Sequence, residues 1–92
     1  MAYLDQNDNI TREQIAVILQ NYAQFRGENA FGGTFAMDFA DADSISPWAL
    51  DAMEWANTNG LITGRTLTTL APSGTTTRAE SAAILQRFIE AR

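Results

Sequence analysis

The chain writes one helix start twice. Thr77-Arg78-Ala79-Glu80 leads into the apolar residues 81–89, and 66 positions earlier Thr11-Arg12-Glu13-Gln14 leads into residues 15–22. In each, the threonine hydroxyl can accept the N–H three residues on, while the Glu or Gln reaches back to the threonine N–H. That reciprocal pairing is a capping box. Thr, Arg, Ala, Ile, Leu and Gln recur in register at 11/77, 12/78, 16/82, 18/84, 19/85 and 20/86. Self-similarity at a fixed offset implies one structural unit built twice, and the first copy here carries only the unit's closing half.

The periodicity predicts three helices. Residues 12–24 place Ile15, Ile18, Leu19 and Tyr22 at i, i+3, i+4 and i+7, one buried face that Gly27 brings to an end. Ser46-Pro47 opens a second helix, with Ser46 as N-cap and Pro47 at the first helical position, where its missing N–H costs nothing. It runs to about residue 58, with Ala49, Ala52, Met53 and Ala56 on one stripe and Trp48 and Trp55 beside it. Gly60 supplies a left-handed C-cap, and Leu61 can fold back on Ala56. Residues 78–90 repeat the first helix, with Ser81, Ile84, Leu85 and Phe88 as the apolar face. Between the helices lie a long loop, residues 28–44, with a short helical turn expected near residues 35–39, and a Thr-rich extended connector, residues 65–76, suited to strand-like pairs. The fold class is all-α: three main helices with long connecting loops. Residues 1–27 are the second half of a preceding repeat, 28–38 a linker and 39–92 a complete repeat, all in one structural unit.

Composition removes several kinds of chemistry. With 92 residues the chain forms at most one domain, its net charge is −5, and all six basic residues are Arg. So little positive charge argues against a nucleic-acid partner. There is no Cys and no His, which takes away disulfides, thiol and histidine-assisted nucleophiles and the usual zinc sets. No stretch is long and apolar enough to span a bilayer. Asp5, Asn7 and Asn9 have the spacing of a calcium-loop opening, but Ile10 stands where that loop needs Gly and Ala16 where it needs Glu. Asp38, Asp41 and Asp43 could suggest a glycosidase pair; crowded into one loop, they read as turn and cap residues. No metal, cofactor or catalytic residue is assigned.

Arginine opposes the helix dipole at a helix start, yet Arg12 and Arg78 both stand there. An anion against the helix start would meet backbone N–H groups, the dipole and a guanidinium fork together. The alternative is an internal bridge from each Arg to one of the eleven carboxylates, Asp41 or Asp43 being the obvious candidates. Trp48 and Trp55 could form a platform for the apolar face of a sugar ring; Trp55 reads as core, and Trp48, in the first turn beside the loop, as mixed in role.

The ordered set Phe39-Ala40-Asp41, Trp48, Gly60-Leu61-Ile62-Thr63-Gly64 and Thr77-Arg78-Ala79-Glu80 resembles the S-layer homology (SLH) domains that anchor surface proteins to bacterial cell walls. The resemblance covers about residues 39–87, and residues 4–23 look like the close of a preceding repeat. The chain departs from the family with Arg65-Thr66-Leu67-Thr68 in place of a Pro-Asp-Gly turn, with Thr76 in place of an aliphatic, and with a longer join over residues 26–38. The resemblance implies a non-catalytic module from a three-pronged spindle, whose grooves between repeats bind cell-wall polysaccharide, commonly bearing pyruvate ketals. It implies Arg78 and Arg12 as ligand contacts and Trp48, Gly64 and Asp41 as groove wall or scaffold; Thr11, Thr77, Glu80, Ser46 and Gly60 are the structural caps read from local spacing. It also implies an extracellular place in the cell wall or S-layer, with the export signal outside this stretch. One and a half repeats leave apolar faces uncovered, so other SLH repeats or copies of the chain are expected partners. The alternative function is a protein–protein assembly module.

Overall fold

α1 (Arg12–Phe25), α2 (Leu50–Thr58) and α3 (Arg78–Glu90) carry the computed structural model, which describes residues 10–35, 37–66 and 68–90. The Asp5-to-Asn9 turn weighed for calcium lies outside the described residues. Both capping boxes form. Thr11 Oγ1 accepts Gln14 N–H at 3.2 Å and Gln14 Oε1 accepts Thr11 N–H at 2.8 Å. Thr77 Oγ1 accepts Glu80 N–H at 3.0 Å and Glu80 Oε1 accepts Thr77 N–H at 2.9 Å. α2 ends as expected: Gly60 sits at φ 72°, and the N–H groups of Leu61 and Gly60 reach Ala56 O at 2.8 Å and Asn57 O at 3.0 Å. This is the paired hydrogen bonding of a Schellman ending.

The start of the second helix needs a correction. A 3-10 turn, Pro47–Ala49, precedes α2, and the Ser46 hydroxyl makes no capping bond. It donates instead to Glu13 Oε1 at 2.7 Å, while Ser46 N–H donates to Glu13 Oε2 at 2.9 Å. A buried carboxylate on α1 outcompetes the helix's own N–H groups for this hydroxyl. The turn expected near residues 35–39 forms later, at Ala42–Ser44. Upstream, the loop is held open by α2, through Gly32 N–H on Asp51 Oδ1 at 2.9 Å and the Thr58 hydroxyl on Thr34 O at 3.0 Å.

Ile15, Ala16, Leu19 and Ala23 of α1 join Ala52, Met53, Trp55 and Ala56 of α2 in one buried cluster. Alanines on both sides let these helices approach closely. α3 adds Ile84 and Phe88, the Phe88 ring meeting Tyr22 and Trp55 edge-on at 5.9 and 6.3 Å. Three residues assigned to buried faces are out of place: Ile18 and Tyr22 of α1 and Leu85 of α3 are exposed. Each helix is covered from one direction, and one direction buries a stripe narrower than the full apolar set.

The connector lies across the start of α1. Thr11 and Thr75 form an isolated antiparallel bridge. Thr76 N–H and its hydroxyl both reach Ile10 O, at 2.8 and 3.1 Å. Thr76 is thus a polar clasp that ties the connector to the residue before the α1 cap. Among the described residues no helix is long and apolar enough to cross a membrane.

Candidate functional site

Placed directly after the Thr11 cap, Arg12 leaves α1 toward the connector and is only 5% exposed. Its Nε donates to Leu70 O at 2.7 Å, Nη2 donates to Thr63 O, and Nη1 lies 3.3 Å from Glu80 Oε2. The Leu70 carbonyl is itself held in place, because Asp41 accepts the N–H groups of Leu70 and Ala71 at 2.9 and 2.8 Å. Burial works against the Asp41 charge. The two N–H groups and Arg12 outweigh it and hold the carboxyl below its usual range.

Glu80 serves three partners at once. Besides closing the cap on Thr77 and meeting Arg12, it accepts Arg65 Nη2 at 2.9 and 3.0 Å. The Thr77 N–H is the largest influence on its carboxyl, burial opposes it, and Arg65 and Arg12 add to it; the net effect is a lowered pKa. Arg87, one turn beyond Ile84, donates to Leu61 O at 3.3 Å.

These residues enclose a groove of about 180 Å³, lined by Arg12, Thr63, Gly64, Arg65, Glu80 and Arg87 among others. Three guanidinium groups against one carboxylate leave two positive charges in surplus, in a chain of net charge −5. Burial lowers the Arg12 pKa, and Arg65 and Arg87 push it further down against the pull of Glu80. An anion beside these arginines would relieve that repulsion. Among the described residues no cluster of His, Cys, Asp or Glu could hold a metal.

The residues singled out from sequence separate into groups. Arg12 and Gly64 line the groove. A Cβ at Gly64 would fall 2.3 Å from Thr66 O and 3.2 Å from Phe39 Cε1, so the chain needs glycine here for close approach. Asp41 lies beneath, as scaffold for Leu70. Trp48 is 60% exposed and lies outside the groove lining. Arg78 is exposed at the start of α3, also outside the lining, and its side chain makes no hydrogen bond or ion pair among the described residues.

Two expectations about the helix starts are corrected. The Arg12 bridge goes to Glu80 and not to Asp41 or Asp43. The start of α1 also has no N–H left for an anion: those of Arg12 and Glu13 reach Gly74 O at 3.0 Å and Pro72 O at 2.9 Å, and that of Gln14 reaches the Thr11 hydroxyl. The connector carbonyls occupy the place an anion would take.

Sequence reasoning misses Arg65, Arg87 and the ion-pairing role of Glu80. The one available signal is on α3, where Glu80, Ile84 and Arg87 share one stripe at i, i+4 and i+7.

Residues 38–82 match the model of the S-layer homology domain. Over 88 residues the chain is 38% identical to an amylopullulanase of Thermoanaerobacterium thermosulfurigenes, covering 91% of this chain and 4% of that protein. It is 36% identical over 84 residues to the exoglucanase XynX of Acetivibrio thermocellus, covering 91% of this chain and 8% of that protein. It is 34% identical over 87 residues to a surface-layer 125 kDa protein of Lysinibacillus sphaericus, covering 91% of this chain and 7% of that protein. The chain therefore spans less than a tenth of the length of these relatives. No solved structure matches it. With the Gly60–Gly64 loop and the capped start of α3 both inside the matched residues, the chain belongs to the S-layer homology family.

Proposed function

We propose that this chain is a non-catalytic module that attaches a larger protein to the cell surface by binding an anionic group of a wall polysaccharide. The observation that carries this reading is the convergence of Arg12, Arg65 and Arg87 on one groove in an otherwise acidic chain. Arg65 and Arg87 are the accessible donors, Arg12 forms the charged floor, and Gly64 brings main chain close to the ligand. Asp41 acts through the connector it orders. Trp48, outside the lining, is a peripheral contact. A single carboxylate, such as that of a pyruvate ketal on a sugar, suits a groove of about 180 Å³ and forked guanidinium donors. Relatives named as two enzymes and a surface-layer protein share this segment, and a common attachment role would account for its presence in all three.

The test is co-sedimentation with purified wall sacculi carrying acidic polysaccharide. Each charge-assisted hydrogen bond is worth about 1.5–3 kcal/mol, so Arg65→Ala with Arg87→Ala should weaken retention by at least about tenfold in protein that circular dichroism shows still folded at the assay temperature. Retention of the parent should fall as salt rises. A doubly substituted protein that sediments like its parent would overturn the reading.

A further inference from the structure

The carboxylate of Glu80 is fully engaged. Its Oε1 accepts Thr77 N–H and Arg65 Nη2, both at 2.9 Å, and its Oε2 accepts Arg65 Nη2 at 3.0 Å and Arg12 Nη1 at 3.3 Å. A carboxylate offers about four acceptor sites, and these contacts use all of them. The Thr77 N–H belongs to the α3 cap, so it fastens the carboxylate at the groove whatever else enters. With its pKa lowered, Glu80 is ionised at neutral pH.

Arg65 is where this matters for a ligand. Its Nη2 faces three acceptors, Thr75 O at 3.0 Å and both oxygens of Glu80, with only two hydrogens to give. A carboxylate can grip a guanidinium with two parallel hydrogen bonds along either of two edges, Nε with Nη2 or Nη1 with Nη2. Both edges include Nη2. Nε and Nη1 of Arg65 have no acceptor among the described residues, yet neither edge is complete until Nη2 lets go of Glu80. Arg12 is closed as well, since Nε and Nη2 hold Leu70 O and Thr63 O and Nη1 faces Glu80. Arg87 keeps an open edge, because its bond to Leu61 O uses Nη1. An anion that enters therefore finds one free fork at Arg87, and a second fork already taken by a carboxylate of the chain itself.

We infer that Glu80 is a built-in competitor and a specificity-determining residue: an internal carboxylate that a ligand must displace from Arg65, and that lowers the advantage a doubly charged anion would have over a singly charged one. The inference rests on the anion reading of the groove. Exchange of one carboxylate for another at Arg65 replaces like with like, so its net gain is small. The displaced Glu80 stays near, held by the Thr77 cap, and its repulsion scales with the charge of what has entered. A phosphate monoester, at about −1.5 to −2 near neutral pH, meets nearly twice the repulsion felt by a ketal carboxylate.

Glu80→Gln isolates the charge. At the start of α1 the matching capping box is already closed by the amide oxygen of Gln14, so the cap survives the substitution. The probes are a methyl glycoside bearing a pyruvate ketal and the same glycoside bearing a phosphate monoester, titrated into the full chain at neutral pH. Glu80→Gln should tighten the ketal by about three- to tenfold and the phosphate by a larger factor. A residue that merely positions Arg65 would give the opposite sign. In the parent, with no substitution, saturation by the ketal should shift the carboxyl carbon-13 resonance of Glu80 as Arg65 leaves it. Equal or weaker ketal binding by folded Glu80→Gln, the same gain for both probes, or an unmoved Glu80 resonance would overturn the inference and leave the groove reading standing. If neither probe binds parent or variant, and the parent ignores sacculi, both fall together.

Discussion

Arg12→Ala removes a buried fork that ties α1 to the complete repeat. Two main-chain carbonyls, Leu70 O and Thr63 O, lose a charged donor. At about 1.5–3 kcal/mol per hydrogen bond to a charged group, the gross loss is about 3–6 kcal/mol. The Glu80 contact adds little, because that carboxylate is 30% exposed and keeps both Arg65 and the Thr77 N–H. Two effects reduce the loss: Arg12 no longer has to be desolvated against Arg65 and Arg87, and water from the groove can reach the freed carbonyls. A net cost of about 2–4 kcal/mol is expected. At about 0.05–0.15 kcal/mol of stability per residue, a chain of 92 residues holds about 5–14 kcal/mol, so this loss is a large share of the whole. Urea unfolding followed by the fluorescence of buried Trp55 measures it directly, with a midpoint drop of about 10–25 °C expected in thermal melts. Arg78→Ala is the matched control, with the same residue type in the same register, and should cost less than about 0.5 kcal/mol. If the two alanine variants unfold within about 0.5 kcal/mol of each other, burial does not separate the two arginines and the reasoning fails.

Four other outcomes are expected. Glu80 and Asp41 have folded pKa values below their ordinary 4.5 and 3.8, so their contribution is complete above those values and is lost as pH falls through the lowered ones. Stability should be flat from neutral pH to about pH 5 and then decline, with a shallower acid limb in Glu80→Gln and Asp41→Asn; a parent curve that keeps rising below pH 4 would contradict this. Gly64→Ala forces a Cβ to within 2.3 Å of Thr66 O and should cost about 1–3 kcal/mol in chemical unfolding. Ser46→Ala leaves Glu13 with a missing donor and should cost about 1–2 kcal/mol, more than loss of an ordinary exposed serine. Trp48→Ala, at an exposed position, should stay within about 0.5 kcal/mol of the parent by the same measurement.

Local hydrogen bonding makes the helix ends legible in the amino-acid order. Thr11 with Gln14, Thr77 with Glu80, and Gly60 with Asn57 all pair within three positions, so neighbouring residues alone decide them. Ser46 looks equally local, yet its hydroxyl turns to Glu13, 33 positions away. The groove is half visible. Arg12 and Gly64 stand out through the repeated motif and the glycine-bounded loop, whereas Arg65 carries no mark, and Arg87 only its stripe with Glu80 and Ile84, until the loop and α3 are folded against each other.

The amino-acid order by itself determined the three helices, the capping boxes of α1 and α3, the glycine ending of α2 and the repeat, because those depend on periodicity and on partners a turn away. Which face of each helix is covered was a tertiary decision. Arg12 and Arg78 hold the same place after a capping threonine, yet one is buried by partners 51 to 68 positions distant and the other is open to solvent. Burial of a charged side chain is favourable only where distant carbonyls and a carboxylate are brought to meet it, and only the folded connector does that.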